Sequence, residues 1–163
     1  FRDFKRPDLF FALARKLRDR PYKFYMIGKI DTAKTNASIQ RALEELPNVL
    51  YLGPKHVEEV EDILWSSRLL VNTSDHEGFP NTYIQALMRG VPIVALNVDP
   101  NDMIKRHELG AVMANLDSAA DSINRLMSDD ELWERTSVNC RCFSEKQFSI
   151  STYTDNFLSS LED

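Results

Sequence analysis

The residues with the clearest chemical potential lie in a polar stretch that leads into a short amphipathic segment. Glu77 precedes Asn81 and Thr82 by four and five positions and Gln85 by eight, and Gly90 closes the segment. A carboxylate can accept two sugar hydroxyls at once. The first turn of a helix offers unpaired N–H groups to a phosphate. This spacing therefore suits a ligand with hydroxyls at one end and phosphates at the other.

Each of these residues also has a simpler structural explanation. Glu77 could merely offset the dipole of the following helix. Asn81 and Thr82 could act as helix caps. Gln85 could be an ordinary solvent-facing helix residue. Both kinds of explanation stay open on these residues alone.

The elements that must position these residues follow from the alternation of apolar runs and helical periodicity. Strands are predicted at 23–27, 49–52, 69–72, 92–96 and 111–113. Helices are predicted at 7–18, 34–46, 56–66 and 80–89, then a short one from Asp99, and from Ser118 two or three helices divided near 143–148. Continuous apolar strands separated by helices indicate parallel βαβ units. The predicted fold is a Rossmann-like α/β domain, a three-layer arrangement with helices on both faces of a parallel sheet.

The helix predicted at 80–89 should present different residues to the ligand and to the sheet. Gln85 lies four positions after Asn81 and shares its face. Ile84, Leu87 and Met88 are expected to point roughly the other way, toward the sheet. Gln85 is therefore expected near the site rather than in the core.

Glycine turns are predicted to meet at one edge of the sheet. Gly28 and Gly53 follow predicted strands, and Gly78 follows Glu77 in the loop after the third strand. Ligands of open parallel sheets bind outside the carboxyl ends of the strands. The five glycines are too far apart for G-x-G-x-x-G or a P-loop. A dinucleotide dehydrogenase and a P-loop NTPase are therefore disfavoured.

The overall composition narrows the possible classes of protein. A formal charge of −5 argues against general nucleic-acid binding. The sequence contains no run of about 18 apolar residues that could span a membrane. Two cysteines without partners at metal-ligand spacing suggest a reducing compartment. The chain begins with Phe1 rather than Met, so it is expected to be one domain, residues 1–163, of a larger protein.

Several of these stretches resemble the retaining group 1 glycosyltransferases of the GT-B fold. The run from Glu77 to Val94 resembles their donor-binding loop, a specific signal. Weaker likenesses lie at 4–10, 25–28, 51–54 and 108–112, so the resemblance covers about residues 1–115. In the family two glutamates stand eight positions apart, whereas here the second position holds Gln85.

The resemblance implies a two-domain enzyme in which this chain is the C-terminal, donor-binding half. The N-terminal acceptor domain would be missing. It implies that Lys5, Asn81 and Thr82 meet the donor diphosphate, joined by Arg2, although Arg2 stands closer to Lys5 than the family's arginine does to its lysine. Glu77, Gly78 and Phe79 would contact the sugar, Gln85 the ribose, and Gly53 and Pro54 the base.

The implied reaction moves a sugar from a nucleotide-diphospho-sugar to a saccharide or a lipid-linked glycan with retention. No residue here is a convincing general base, and no metal or other cofactor is expected. The isolated domain is expected to be inactive alone. The resemblance also implies a cytoplasmic protein, which the missing domain could bring to the inner membrane face. Two alternatives stay open: a GT-B nucleotide-sugar epimerase, and a non-catalytic nucleotide-sugar-binding module, which Gln85 motivates.

Overall fold

The computed structural model describes residues 3–30 and 33–148 of the 163-residue chain. A short 3-10 helix at Asp3–Lys5 precedes the first α-helix, and another at Pro100–Asp102 precedes the fifth. The strands are β1 (Phe24–Ile27), β2 (Val49–Gly53), β3 (Leu70–Asn72), β4 (Ile93–Ala95) and β5 (Gly110–Val112). The helices are α1 (Pro7–Lys16), α2 (Ala33–Glu45), α3 (Val57–Trp65), α4 (Asn81–Met88), α5 (Met103–Arg106), α6 (Leu116–Ser128) and α7 (Asp130–Phe148).

Helix α1 forms where sequence periodicity predicts it. Pro7 occupies the first helical turn, where its missing N–H costs nothing. Leu13 and Leu17, four positions apart, are both buried and face the same core. The helix therefore begins at its proline and packs through one apolar stripe, as predicted.

All five strands run parallel, but they form two separate ladders. Strand β1 pairs with β2, and β3 pairs with β4, which in turn pairs with β5. Among the described residues neither β1 nor β3 has a second neighbouring strand. The sheet is therefore interrupted between β1 and β3.

Alternate residues of β4 show that helices cover both faces. Ile93 and Ala95 are buried in a core shared with α4, α5 and α7. Val94 is buried in another core, shared with α1, α2 and α6. Because side chains of a strand alternate between faces, these two cores lie on opposite sides of the sheet. The predicted α/β fold with a helical layer on each face is confirmed.

Gly90 ends α4 in a position that a larger residue could not occupy without rearrangement. Its φ is +68°, in the left-handed region that favours glycine. A Cβ built there would lie 2.3 Å from Nη1 of Arg141 and 2.6 Å from Oγ of Ser137. The absence of a side chain at Gly90 thus lets α4 approach α7 closely.

Two local predictions are wrong. Met88 does not point toward the sheet: it is 56% exposed, because it lies in the last turn of α4, whose buried residues are Tyr83, Ala86 and Leu87. The helices after Ser118 are not divided near 143–148. The break lies at Asp129, which leaves helical geometry and accepts a hydrogen bond from the Leu132 amide at 2.9 Å, so that α7 restarts there and continues to Phe148.

Candidate functional site

The site is built on the carboxyl end of β3. Asn72, the last residue of that strand, is buried. Its Oδ1 accepts a hydrogen bond from the Ser74 amide at 2.8 Å, and its Nδ2 donates to Oε1 of Glu77 at 3.1 Å. One buried amide thus fixes both the turn after β3 and the carboxylate that the turn carries.

Glu77 also meets a lysine from the opposite end of the sequence. Nζ of Lys5 donates to Oε2 of Glu77 at 2.5 Å. Burial alone would raise the pKa of Glu77, but the hydrogen bonds from Lys5, Ser74 and Asn72 outweigh it and hold the pKa below the ordinary value. Glu77 is therefore an anion at neutral pH, ready to accept hydrogen bonds.

Backbone contacts hold Lys5 in place beside the loop after β3. Oγ1 of Thr73 donates to the carbonyl oxygens of Lys5 and Arg6, each at 3.0 Å. The amide of Asp75 donates to the carbonyl of Phe4 at 2.8 Å. The position of Lys5 against Glu77 is thus set by the fold and not only by its flexible side chain.

Arg6 adds an anchor of its own beside this pair. Its φ of 47° lies in the left-handed region, which is costly for a residue with a Cβ. Its guanidinium donates to Asp8 at 2.7 Å and to Asp75 at 3.0 Å, which ties the start of α1 to the site loop. These contacts compensate for the unusual backbone between Lys5 and α1.

Helix α4 presents its N-terminus to the same region. Pro80 caps it without a side-chain hydrogen bond, so Asn81 and Thr82, in the first turn, do not serve as its cap. The hydroxyl of the buried Tyr83 donates to the carbonyl of Val98 at 2.8 Å, and burial raises the pKa of this phenol. That bond fixes α4 to the segment after β4.

A cavity of about 1160 Å³ joins these features. Its lining includes five of the predicted site residues: Lys5, Glu77, Asn81, Thr82 and Gln85. Gln85 is half-buried there. The structure therefore brings together the residues expected to meet diphosphate, sugar and ribose.

Two of the three glycine turns expected at this edge, those of Gly28 and Gly53, are in contact. The amide of Gly28 donates to the carbonyl of Gly53 at 2.9 Å, and the Tyr51 hydroxyl donates to the carbonyl of Gly28 at 2.8 Å. Gly28 and Lys55 line the cavity, whereas Gly53 and the exposed Pro54 between them are not among its lining residues. Their contact with a base stays a prediction.

Two further predicted residues, Gly78 and Phe79, are not among the lining residues of the cavity. Gly78 is exposed beside Glu77. The Phe79 ring packs edge-to-face on Phe148 with centroids 5.9 Å apart, so the sugar contact proposed for it stays a prediction. Arg2 lies outside the described residues.

Sequence reasoning missed the residues that organise the site. Asn72 was assigned only to a strand, and Thr73, Ser74 and Arg6 received no role. One signal was available for Asn72: it is a polar residue that closes the apolar run 69–71. Thr73 and Arg6 act through side-chain contacts with segments distant in sequence, which no local residue pattern displays. Ser74 acts through its backbone amide.

The described residues contain neither a metal-binding cluster nor a membrane-spanning helix. Across residues 3–30 and 33–148, no three His, Cys, Asp or Glu side chains come together in a metal-binding group. The helices in the same ranges include none long and apolar enough to cross a membrane. That no metal or cofactor is needed stays a prediction.

A parallel α/β domain with a paired lysine and glutamate at the carboxyl edge of its sheet, beside a helix N-terminus, has an arrangement that suits ligands with phosphate and hydroxyl groups. Residues 2–129 match the family model described as glycosyl transferases group 1. The chain belongs to that family.

Individual relatives agree with this assignment. The chain is 29% identical over 131 residues to the capsular polysaccharide biosynthesis glycosyltransferase CapM of Staphylococcus aureus, covering 78% of this chain and 34% of CapM. The chain spans between 15% and 39% of the length of four curated relatives that it matches.

Solved structures share the fold. TarM of S. aureus, solved with UDP, Fondaparinux and alpha-GlcNAc-glycerol, superposes with a TM-score of 0.81 at 24% identity, covering 96% of this chain and 32% of TarM. HepE of Anabaena, solved with UDP, superposes with a TM-score of 0.81 at 16% identity, covering 99% of this chain and 46% of HepE. The chain therefore has the fold of one domain of the GT-B glycosyltransferases.

Proposed function

We propose that this chain is the C-terminal, donor-binding domain of a retaining glycosyltransferase. The enzyme would move a sugar from a nucleotide-diphospho-sugar to a saccharide or lipid-linked glycan. The observation that carries the proposal is the Lys5–Glu77 pair, 2.5 Å apart at a cavity beside the N-terminus of α4. The pair offers a cation for the diphosphate and, next to it, an anion for the sugar hydroxyls.

The donor diphosphate would compete with Glu77 for Lys5. An ammonium group has three donors, so Lys5 can bind a phosphate oxygen while it leaves or shares the carboxylate. The first-turn N–H groups at Asn81 and Thr82 add positive electrostatic potential. Together these groups would stabilise the charge that develops on the leaving nucleoside diphosphate.

Glu77 would orient the sugar while Gln85 meets the ribose. Its ionised carboxylate accepts hydrogen bonds from hydroxyls, and Asn72 fixes its direction at 3.1 Å. Gln85 has a neutral carbonyl where the family has a carboxylate, so its hydrogen bond to a ribose hydroxyl is weaker. The acceptor and any general base would come from another domain, so the isolated domain would bind donor weakly and transfer nothing. A cytoplasmic location and independence of metals belong to the same proposal.

Calorimetric titration of the full-length protein with UDP, GDP and ADP sugars tests this function. One donor is expected to bind, and its sugar should appear on a saccharide or lipid-linked acceptor with the anomeric configuration kept. Failure of every donor to bind at millimolar concentration would contradict the proposal. Recovery of an epimerised nucleotide sugar from donor alone would favour an epimerase instead. Donor binding without turnover across a panel of acceptors would favour the non-catalytic module.

Lys5→Ala provides the first variant in that assay. Hydrogen bonds to charged groups are worth about 1.5–3 kcal/mol, so the affinity for the nucleoside diphosphate should fall roughly 10- to 100-fold. Lys16→Ala is the matched control, because Lys16 is an exposed lysine that pairs with Asp117 away from the cavity. Equal effects of the two substitutions on affinity would contradict a role for Lys5 in binding the diphosphate.

A further inference from the structure

The two sides of the loop that carries Glu77 are anchored in different ways. Toward β3 the loop is held by hydrogen bonds of Asn72 and Thr73. After Glu77 comes Gly78, which is exposed, and nothing lies within 4 Å of the position that a Cβ would take there. Because Gly78 supplies no packing contact of its own, the next residue that can anchor this side of the loop is Phe79.

Phe79 is anchored by an aromatic contact with α7. Its ring packs edge-to-face on Phe148, with centroids 5.9 Å apart and ring planes at 77°. Phe148 packs in turn on Phe143, with centroids 6.0 Å apart and ring planes at 79°. Edge-to-face pairs are favoured by the charge distribution of aromatic rings. Although Phe79 is 41% exposed, its ring is thus held at the edge of a packed aromatic cluster.

The packing of α7 on α4 brings this cluster to the loop. A Cβ at Gly90, just after the end of α4, would meet Ser137 and Arg141 of α7. Eleven positions further along α7 lies Phe148, which meets Phe79 just before the start of α4. Helix α7 therefore runs antiparallel along α4, and Phe148 lies at the end beside the site loop.

The residues in the buried row of α7 change in size along the helix. Ser137, Cys140 and Ser144 are small and buried. Phe148 continues the same row four positions after Ser144. It packs on the core that also contains Cys140 and the α4 residue Tyr83. The large residue of the row thus stands where α4 has ended and the loop with Glu77 has begun.

We propose that Phe148 is a positioning residue for donor binding. Through the ring of Phe79 it fixes the segment after Glu77 and so holds that carboxylate at the cavity. Phe79 and Phe148 are not among the residues that line the cavity, so the ring pair acts through Glu77 and not by contact with a ligand. The effect on donor binding rests on the proposed function, whereas the effect on the loop does not.

A double-mutant cycle in the full-length protein tests the role of the ring pair. Phe79→Leu, Phe148→Leu and the double variant are titrated with the UDP, GDP or ADP sugar that binds and with its nucleoside diphosphate. Each single variant should bind the nucleotide sugar roughly 2- to 10-fold more weakly, and the nucleoside diphosphate about as well as wild type. The double variant should be no weaker than the singles, because all three lose the same contact.

Two further variants separate the contact from general damage to α7. Phe148→Tyr keeps the ring and should bind the nucleotide sugar with nearly the wild-type affinity. Val138→Ala alters an exposed apolar residue of the same helix and should change neither affinity. A loss in Val138→Ala that matches the loss in Phe148→Leu would overturn the proposal.

The backbone amide of Gly78, followed by NMR without any ligand, gives a second readout. Its chemical shift should change in Phe148→Leu and stay constant in Val138→Ala. If no nucleotide sugar binds the wild type, the proposed function fails, while a shifted Gly78 amide still supports the positioning of the loop. Additive losses in the double variant, equal losses for both ligands, or an unaltered Gly78 amide would each overturn the proposal.

Discussion

Lys5 and Glu77 are 72 residues apart in sequence, and their side chains are joined at 2.5 Å. The family resemblance implies separate roles, with Lys5 at the diphosphate and Glu77 at the sugar. The structure shows that the two side chains also form an ion pair with each other. A bound donor would therefore exchange one internal ion pair for two contacts with the ligand.

Asn72 should control the affinity for the sugar through Glu77. Asn72→Ala removes the Nδ2 donor to Glu77 at 3.1 Å and leaves that carboxylate less well oriented. We expect binding of the nucleotide sugar to weaken by about 1–3 kcal/mol, while binding of the nucleoside diphosphate changes little. Asn139→Ala is the control, since Asn139 donates to the carbonyl of Glu108 on another part of the domain. An equal loss for both ligands, read by calorimetry, would show general damage to the cavity.

Acid should weaken the contribution of Glu77 to stability. Because its folded-state pKa is depressed, the stabilisation is present above the ordinary pKa of 4.5 and is lost as pH falls through the lower folded value. Wild type should therefore have the higher melting temperature at pH 7, and its advantage over Glu77→Gln should shrink below about pH 4.5. Thermal unfolding of both proteins between pH 3 and 7 measures the difference, and a pH-independent difference would argue against the depressed pKa.

Gln85→Glu should strengthen donor binding. A carboxylate accepts a ribose hydroxyl more strongly than an amide does, so the gain should be about 1 kcal/mol, roughly fivefold in affinity. Gln40→Glu makes the same chemical change on the exposed side of α2 and should do nothing. If Gln85→Glu also leaves affinity and turnover unaltered, Gln85 is peripheral to the ribose.

Gly90 and Gly78 should respond differently to alanine. At Gly90 the new Cβ meets Ser137 at 2.6 Å and the backbone is left-handed, so Gly90→Ala should cost at least ~1 kcal/mol of stability. Nothing lies within 4 Å of a Cβ at Gly78, so Gly78→Ala should unfold like wild type. Denaturant titration compares the two, and equal stability of both variants would contradict the close approach of α4 to α7.

Periodicity and turn residues predicted the architecture but not the contacts of the site. The apolar stripe of α1 and the position of Gln85 on the cavity side of α4 follow from spacing within one element. The Lys5–Glu77 pair joins two distant segments, and local spacing carries no information on such a contact. The prediction for Met88 is wrong because the last turn of a short helix often extends beyond the sheet that the helix covers, which leaves its side chains exposed.

The interruption of the sheet was also beyond sequence pattern. Each strand was identified by its own apolar run, which does not state which strands are neighbours. Only the placement of β1 and β3 reveals that both strands line the same cavity. Gly28 and the loop after β3 line that cavity as well.

Titration of full-length Glu77→Gln with the donor and with its nucleoside diphosphate tests the central claim most directly. Loss of the carboxylate removes a sugar contact and frees Lys5, so the affinity for the nucleotide sugar should fall roughly tenfold or more, while that for the nucleoside diphosphate stays equal or rises. Glu45→Gln, which alters an exposed pair with Arg15, should change neither. A parallel fall for both ligands, or no change for either, would contradict the assignment of Lys5 to the diphosphate and Glu77 to the sugar.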